Sequence, residues 1–344
     1  MVRTTPPRPV DIASIFPELA PLARQAVRLH PRPGIPTPYE SSIGGPLLWP
    51  ADEEWPVCAE AHDDWQLPVS LDDVRRCRAL LEAAWLRPRG PQDNLLSPEE
   101  RALLDTLEAG HPWHGEPNAL LPVAQLYLRD IPGLTGPDGA DLLQVLWCPL
   151  DHESGLPAAR LVWRDAASVV DPLVSPPEPA DVEPDGNYVP EPCVLHPESV
   201  IEYPAPQELP EELAGRLAAW GRAEWAKSHP EDEDDGIGGA YYQYELSVAP
   251  GWKLGGWGPW SFCDPWPMLC ATCKTECRPL LTVSSGEWDG GSGSWIPLED
   301  RVPPGPAGLR RPSDPPMVSI GRGYNMQIYV CPESFDHPHL ENMQ

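Results

Sequence analysis

Leu254-Gly255-Gly256-Trp257, then Trp266-Pro267, then Cys270, and later Gln327-Ile328-Tyr329-Val330-Cys331-Pro332, form a series of landmarks that the chain has already used once. The earlier series runs Ile43-Gly44-Gly45-Pro46, Trp55-Pro56, Cys58 and Gln144-Val145-Leu146-Trp147-Cys148-Pro149. From the second Gly to the Trp of Trp-Pro the step is ten residues in both series, 45 to 55 and 256 to 266. Four landmarks in one order imply an internal duplication, and a duplication fixes the architecture before any single element is assigned.

The two copies carry one chemical kit. In the second, Cys270 and Cys273 have the spacing of a metal knuckle, Cys331 ends the closing strand, and His337 and His339 follow. In the first, Cys58 is followed by His62, and Cys148 by His152. Each copy thus offers two soft or borderline ligands from a turn and two from a strand end, the number and type of a closed structural zinc site. The expected ligand sets are Cys270, Cys273, Cys331 and His337, and Cys58, His62, Cys148 and His152, with one or two structural Zn2+ per chain. Spacing leaves open whether His339 replaces His337, or Cys263 or Cys277 either His. The competing reading is that these are small core hydrophobes, as buried free cysteines often are.

Bulk composition narrows the class. In 344 residues there are 49 Pro and 28 Gly, which argue for short strands and many loops over long bundles. The 15 Trp and 41% hydrophobic content supply enough apolar surface for a packed core. A net charge of −28 disfavours direct nucleic-acid binding, which needs clustered Lys and Arg, and suits either plain solubility or a basic client. Neither a secretory signal nor a run of about twenty apolar residues is read in the sequence. A cytoplasmic chain is expected, with its nine Cys free or metal-bound.

Along the chain, residues 1–39 read as an N-terminal lead-in, helical from Val10 to Leu29. Residues 40–165 form the first repeat, 166–240 a linker with a bridging helix, and 241–344 the second repeat. Two helices interrupt the first repeat. One starts at Ser70, with Asp73 three residues on and an apolar stripe through Val74, Cys77, Leu81 and Trp85. The other starts at Ser97-Pro98-Glu99-Glu100, with Ser as cap and Pro at the first helical position. Strands are expected at Leu121–Leu128, Leu142–Cys148, Arg160–Trp163 and Tyr241–Ala249. Asp171 to Pro192 reads as a surface linker, Leu209 to Lys227 as a helix with Leu213, Leu217 and Trp220 on one side, Glu231 to Asp235 as an acidic loop, and Pro303 to Pro316 as a flexible loop. The fold class is α+β: internally duplicated β-rich units with inserted helices and Cys/His knuckles.

Other motifs carry less chemistry. The Gly-Gly pairs lack the strand–loop–helix context and following Lys of a phosphate loop and read as tight turns. Gly290-Gly291-Ser292-Gly293 reads as a flexible hairpin tip. Among Trp252, Trp257, Trp260, Trp266, Trp288 and Trp295 most are expected in the core, though a few along an open groove would suit peptide recognition. Cys58 with His62 is a close thiol–imidazole pair, and no third group orients it.

The Gly-Gly turn, the Trp-Pro, the Cys-x-x-Cys knuckle, the loop Glu287-Trp288-Asp289-Gly290-Gly291 and the closing strand Met326 to Pro332 resemble the YwqG-like family of uncharacterised bacterial proteins. That family is in turn similar to eukaryotic programmed cell death protein 2 and its relatives. The resemblance covers residues 40–165 and 240–344. It implies a duplicated β-rich unit, often with Cys/His metal ligands, and, from the eukaryotic relatives, a chaperone-like role toward a ribosomal protein client. Two positions depart from the pattern. Gln125 has no Gln counterpart in Leu280-Leu281-Thr282-Val283, and His62 stands where a second knuckle Cys is expected.

Together these features point to a zinc-stabilised module that binds a protein or peptide, with a basic client the most economical partner, and without catalytic residues. The rival classes are a metal- or thiol-dependent hydrolase, which needs an open coordination position in a cleft, and an immunity- or antitoxin-type inhibitor.

Overall fold

A computed structural model of the chain describes residues 2–60, 62, 66–90, 92–115, 117–228, 238–261, 263–301 and 308–344. Its elements run, in order, α1 (Ile12–Ile15), β1 (Arg24–Arg28), β2 (Arg32–Pro33), β3 (Ser42–Ile43), β4 (Val57–Cys58), α2 (Leu71–Trp85), α3 (Pro98–Leu107), β5 (Asn118–Ala119), β6 (Leu121–Tyr127), β7 (Leu142–Trp147) and β8 (Ala159–Arg164). They continue with β9 (Cys193–Val194), β10 (Glu198–Glu202), α4 (Glu211–Ser228), β11 (Lys253–Gly255), β12 (Arg278–Ser284), β13 (Asn325–Val330) and β14 (Leu340–Met343). The class is α+β, with all strand pairs antiparallel.

Two compact units divide the chain. Unit 1 comprises residues 1–30, 196–301 and 323–344; unit 2 comprises 31–195 and 302–322. Unit 1 holds a six-stranded sheet in the order β10-β1-β11-β12-β13-β14, and unit 2 one in the order β2-β9-β3-β6-β7-β8, with a small β4-β5 pair beside it. The sheets match strand for strand. In each, a strand that runs into a Gly-Gly turn pairs with a long strand, which pairs with the strand leading to the second Cys. The same irregularity recurs: the β6–β7 register shifts between Pro122 and Ala124, and the β12–β13 register between Pro279 and Leu281. Gln125 pairs with Gln144 where Thr282 pairs with Gln327, so Thr282 occupies the position of the absent Gln.

The outer strands of the two sheets are exchanged along the chain. β1, which precedes the first series of landmarks, lies between β10 and β11 in the sheet of unit 1. Its counterpart β9, which precedes the second series, lies between β2 and β3 in the sheet of unit 2. β1 thus joins the sheet built otherwise from later strands, and β9 the sheet built otherwise from earlier ones. Leu29-His30-Pro31 and Leu195-His196-Pro197 mark the two crossings, and the Leu29 carbonyl accepts from the His196 N–H at 2.8 Å. This second shared motif is hard to see in the sequence, because it lies outside the stretches that carry the Gly-Gly, Trp-Pro and Cys landmarks.

Several expected elements differ. The helical lead-in over Val10–Leu29 is a single turn, α1, then a 3-10 segment Pro17–Leu22, then β1. Pro17 and Pro21 stop a regular helix, and sheet pairing on both sides of Arg24–Arg28 sets the remainder. The strand expected at Tyr241–Ala249 is helical, with a π-type turn over Gln243–Ser247. Tyr242 and Leu246, four residues apart, enter one core with Leu213 and Leu217 of α4, and that packing overrides the β preference of the aromatic run. The stretch 171–192 is no mere surface linker: Val182 bridges to Val69, and Asp181, Val182, Tyr188 and Val189 are buried. Gly290–Gly293 is no hairpin tip; the Asp289 carboxylate accepts from Gly291 N and Ser292 N, both at 2.9 Å, and a 3-10 turn follows. The acidic run Glu231–Asp235 and residues 302–307 lie outside the described residues.

The inserted helices form as their caps dictate. Ser70 accepts from Asp73 N at 3.1 Å, and Ser97 and Glu100 close a reciprocal capping box at 3.2 and 2.8 Å. Their apolar sides meet over Ala84, Leu96 and Leu104, with Cys77 and Leu81 packed against them. Trp252, Trp260 and Trp295 are buried, while Trp266 is 48% exposed.

Candidate metal centres

In each unit the first pair of ligands lies close together in sequence, four residues apart in unit 2 and three in unit 1. In unit 2, β4 ends at Cys58, and His62 follows. In unit 1, Leu269 bridges to Glu276 across the turn that carries Cys270 and Cys273, Cys270 N donates to Thr275 O at 2.9 Å, and Lys274 N to Cys270 O at 3.0 Å. Lys274 takes φ +64°, which lets the chain double back right after the second thiol, and its Nζ is anchored on Ala271 O at 2.9 Å. The second pair of ligands comes from just past the closing strands. Cys148 follows β7 and Cys331 follows β13, with His152 and His337 in the loops beyond.

The folding brings all eight expected residues into two groups of four. Cys58, His62, Cys148 and His152 form one, and Cys270, Cys273, Cys331 and His337 the other; within each, the ligand atoms lie within 4.8 Å of one another. In unit 2, Cys58 Sγ lies 3.6 Å from His62 Nε2 and 3.4 Å from His152 Nε2, and His62 Nε2 lies 3.2 Å from Cys148 Sγ. In unit 1, His337 Nδ1 lies 3.5 Å from Cys270 Sγ and 3.3 Å from Cys331 Sγ, and Cys273 Sγ 3.4 Å from Cys331 Sγ. A tetrahedral ion about 2.3 Å from sulfur and about 2.0–2.1 Å from nitrogen spaces its ligands about 3.3–3.8 Å apart. Both groups fit such an ion.

The alternatives left open by spacing resolve in unit 1. His339 faces Glu341 at 3.3 Å, Cys263 Sγ meets Gln344 Nε2 at 2.6 Å, and Cys277 stands outside the group of four. Burial pushes Cys277 up to about 11, with Cys270 adding to the shift, so it stays a thiol. Cys273, the exposed member, is lowered to about 6 by the hydroxyl and N–H of Thr275, which favour the ligating thiolate. Burial, and after it Cys58, pushes the Cys148 thiol far up. On His152, Nδ1 lies 3.1 Å from Leu150 O and 3.3 Å from Ala158 N; with Nε2 on a metal, the Nδ1–H goes to Leu150 O and fixes the ring.

Apolar walls surround both groups. Leu47, Trp49, Trp55, Leu120, Leu146 and Leu150 pack with Cys58 and Cys148, and Val248, Trp260, Met268 and Tyr329 with Cys270 and Cys331. With four protein ligands each, these centres can cross-link a turn to a strand end without offering a position to a substrate.

A third group, which the sequence reading missed, joins His111, His114 and Asp181 in unit 2. The His-x-x-His spacing was its only local signal; Asp181 is distant in sequence. A small cleft nearby is lined by Gln66, Pro68, Trp113, Leu150, Asp151, Glu183 and Pro184. Burial, followed by the neighbouring Asp185, pushes Glu183 up to about 7 from 4.5. A carboxyl raised on folding binds more protons in the native state between those values, so its contribution to stability falls as pH rises from 4.5 to about 7. Glu183→Gln, which can still accept from Asp185 N, is expected to melt above the parent at pH 8 and level with it near pH 4.5. Thermal melts of both proteins across that range check this; an offset independent of pH refutes it.

No family model matches the chain, and no curated protein is significantly similar to it.

Proposed function

We propose that this chain is a zinc-stabilised, non-catalytic binding module for a basic protein or peptide segment, chaperone-like in action and akin to the YwqG-like proteins. The observation that carries the reading is the pair of four-residue Cys/His groups, one beside each six-stranded sheet. Zinc suits a donor set of two or three thiols with imidazole, and full protein coordination makes its role structural. What remains available for function is a surface with an overall charge of −28, which attracts and holds cationic segments. The nine cysteines, none of them in a disulfide, suit a reducing compartment, and we place the chain in the cytosol. Among the described residues no helix is long and apolar enough to cross a membrane.

Fluorescence anisotropy with labelled Lys/Arg-rich peptides tests the reading. Binding is expected to weaken at least tenfold between low and physiological salt, because a Debye length of about 30 Å at 0.01 M shrinks to about 8 Å at 0.15 M. An acidic peptide of equal length should not bind. Salt-insensitive binding, or a preference for the acidic peptide, would sink the electrostatic argument.

A further inference from the structure

We propose that His111, His114 and Asp181 form a third metal site, open to solvent, that takes an exchangeable divalent transition ion such as Zn2+, Co2+ or Ni2+. Asp181 is 1% exposed, and its backbone is held on both sides before any ligand arrives. Asn118 Nδ2 donates to Asp181 O at 2.8 Å, Asn118 Oδ1 accepts from Ala180 N at 2.9 Å, and Val182 exchanges backbone hydrogen bonds of 3.0 Å with Val69. Opposite, Gly110 turns the chain at φ +72° after α3, and His111 N is tied to Pro68 O at 2.9 Å. These ties present the two imidazoles to the carboxylate.

The carboxylate divides its work. Oδ2 accepts the His114 N–H at 3.2 Å, while Oδ1 lies 2.9 Å from His114 Nδ1 and 3.8 Å from His111 Nδ1. Ligands at about 2.0–2.2 Å from one ion sit about 2.9–3.6 Å apart, so two of the three residues already hold chelating separation and the third needs a small ring movement. Two further observations point to a cation. Asp181 is a buried carboxyl group whose ion-pairing neighbours among the described residues are only His111 and His114, with no Lys or Arg, a setting in which a metal ion readily completes the pairing. His111 Nδ1 lies 3.0 Å from Pro112 O, while the buried Nε2 of the same ring has no hydrogen-bond partner among the described residues.

Two imidazoles and one carboxylate select borderline transition ions over Ca2+ or Mg2+, which prefer all-oxygen sites. His114 has a side chain 59% exposed, so the remaining coordination positions face water and the ion exchanges readily. This distinguishes it from the closed Cys/His groups, whose ions are trapped by four ligands.

The test titrates the zinc-loaded, full-length protein with Co2+ and counts bound metal. The parent is expected to take up one Co2+ per chain without the thiolate-to-cobalt charge-transfer band, which arises only if cobalt enters a cysteine site. His114→Ala, at an exposed position that should not perturb folding, is expected to abolish that uptake, and Asp181→Asn to weaken it at least tenfold, with the zinc content of both variants unchanged. No cobalt uptake by the parent, or uptake that survives His114→Ala, overturns the proposal. Appearance of the charge-transfer band alone, with zinc released, also overturns it. A zinc-free parent that still binds one Co2+ at this site would instead count against the structural zinc reading and leave this one standing.

Discussion

Removal of the zinc proposed for the Cys270–Cys273–Cys331–His337 group should strongly destabilise unit 1. In small metal-folded domains the apparent binding free energy of structural zinc at pH 7 is about 10–16 kcal/mol. Here part of that strength is redundant, because unit 1 also has a sheet and an apolar core. A net loss of about 5 kcal/mol is a conservative figure, and for a unit of this size it lowers Tm by about 10–20 °C. The turn from Met268 to Cys277 explains why the loss is large. The turn holds one two-residue bridge, and Cys270 and Cys331 are almost wholly buried, so without the ion thiols that repel one another as thiolates must share an apolar wall. Calorimetry of protein treated with a strong chelator, against the same protein with zinc restored, measures the effect. Cys331→Ser should reproduce it in the presence of zinc, while His62→Ala should loosen only the Cys58 turn of unit 2. Because thiols must shed protons to ligate, release should also accelerate as pH falls. Unchanged melting after verified zinc release would dismiss the idea that either ion is structural.

Sequence made these ligand groups legible because their members sit at fixed offsets from strong local signals. Gly44 and Gly255 adopt φ +62° and +64°, as a tight turn requires, and each copy then reaches a Cys at a comparable step. The helix caps were equally readable, since a Ser with an acid three residues on satisfies exposed N–H groups by local geometry alone. The exchanged strands were hidden for the opposite reason. β1 reads Arg24-Gln25-Ala26-Val27-Arg28, too charged for an inner strand by composition, and only its partners make it one. Arg28, fully buried, donates to Thr5 Oγ1 at 2.9 Å and to Trp295 O at 2.8 Å, both far away in sequence. His111, His114 and Asp181 were illegible likewise: their convergence depends on where the inserted helices return the chain, which no spacing encodes.

The two sheets also differ in how they satisfy one buried position, and this leads to the second large effect expected. In unit 2, Ser42 pairs with Gln125, whose amide joins Gln144 at 3.0 Å and Leu48 N at 2.7 Å in a neutral network. The equivalent pairing in unit 1 is Lys253 with Thr282, and the buried Lys253 Nζ donates to Glu202 Oε1 and Oε2 at 2.6 and 2.8 Å and to Trp257 O at 2.8 Å. Glu202 lies on β10 and Lys253 on β11, so the pair reaches across β1 and pins the exchanged strand between them. The Ala249 and Trp257 N–H groups complete the carboxylate at 2.9 and 2.8 Å. Lys253→Met leaves that carboxylate buried without its cation, and the expected cost is about 3–5 kcal/mol. Glu202→Gln leaves the ammonium instead. Burial already lowers the Lys253 pKa below its ordinary value despite Glu202, and without Glu202 the shift deepens. The unfolded chain then binds the extra proton, so this variant should lose more stability at pH 6 than at pH 9. The double variant Lys253→Met/Glu202→Gln restores a neutral network, with the Gln amide donating to Trp257 O and accepting one of the two N–H groups. It should recover most of the loss of Lys253→Met, since a neutral isostere escapes the desolvation of two charges. Urea titrations of the four proteins at both pH values measure the cycle. If the double variant is no more stable than Lys253→Met, the pair contributes net strength rather than register, and the clamp on β1 is electrostatic at its root.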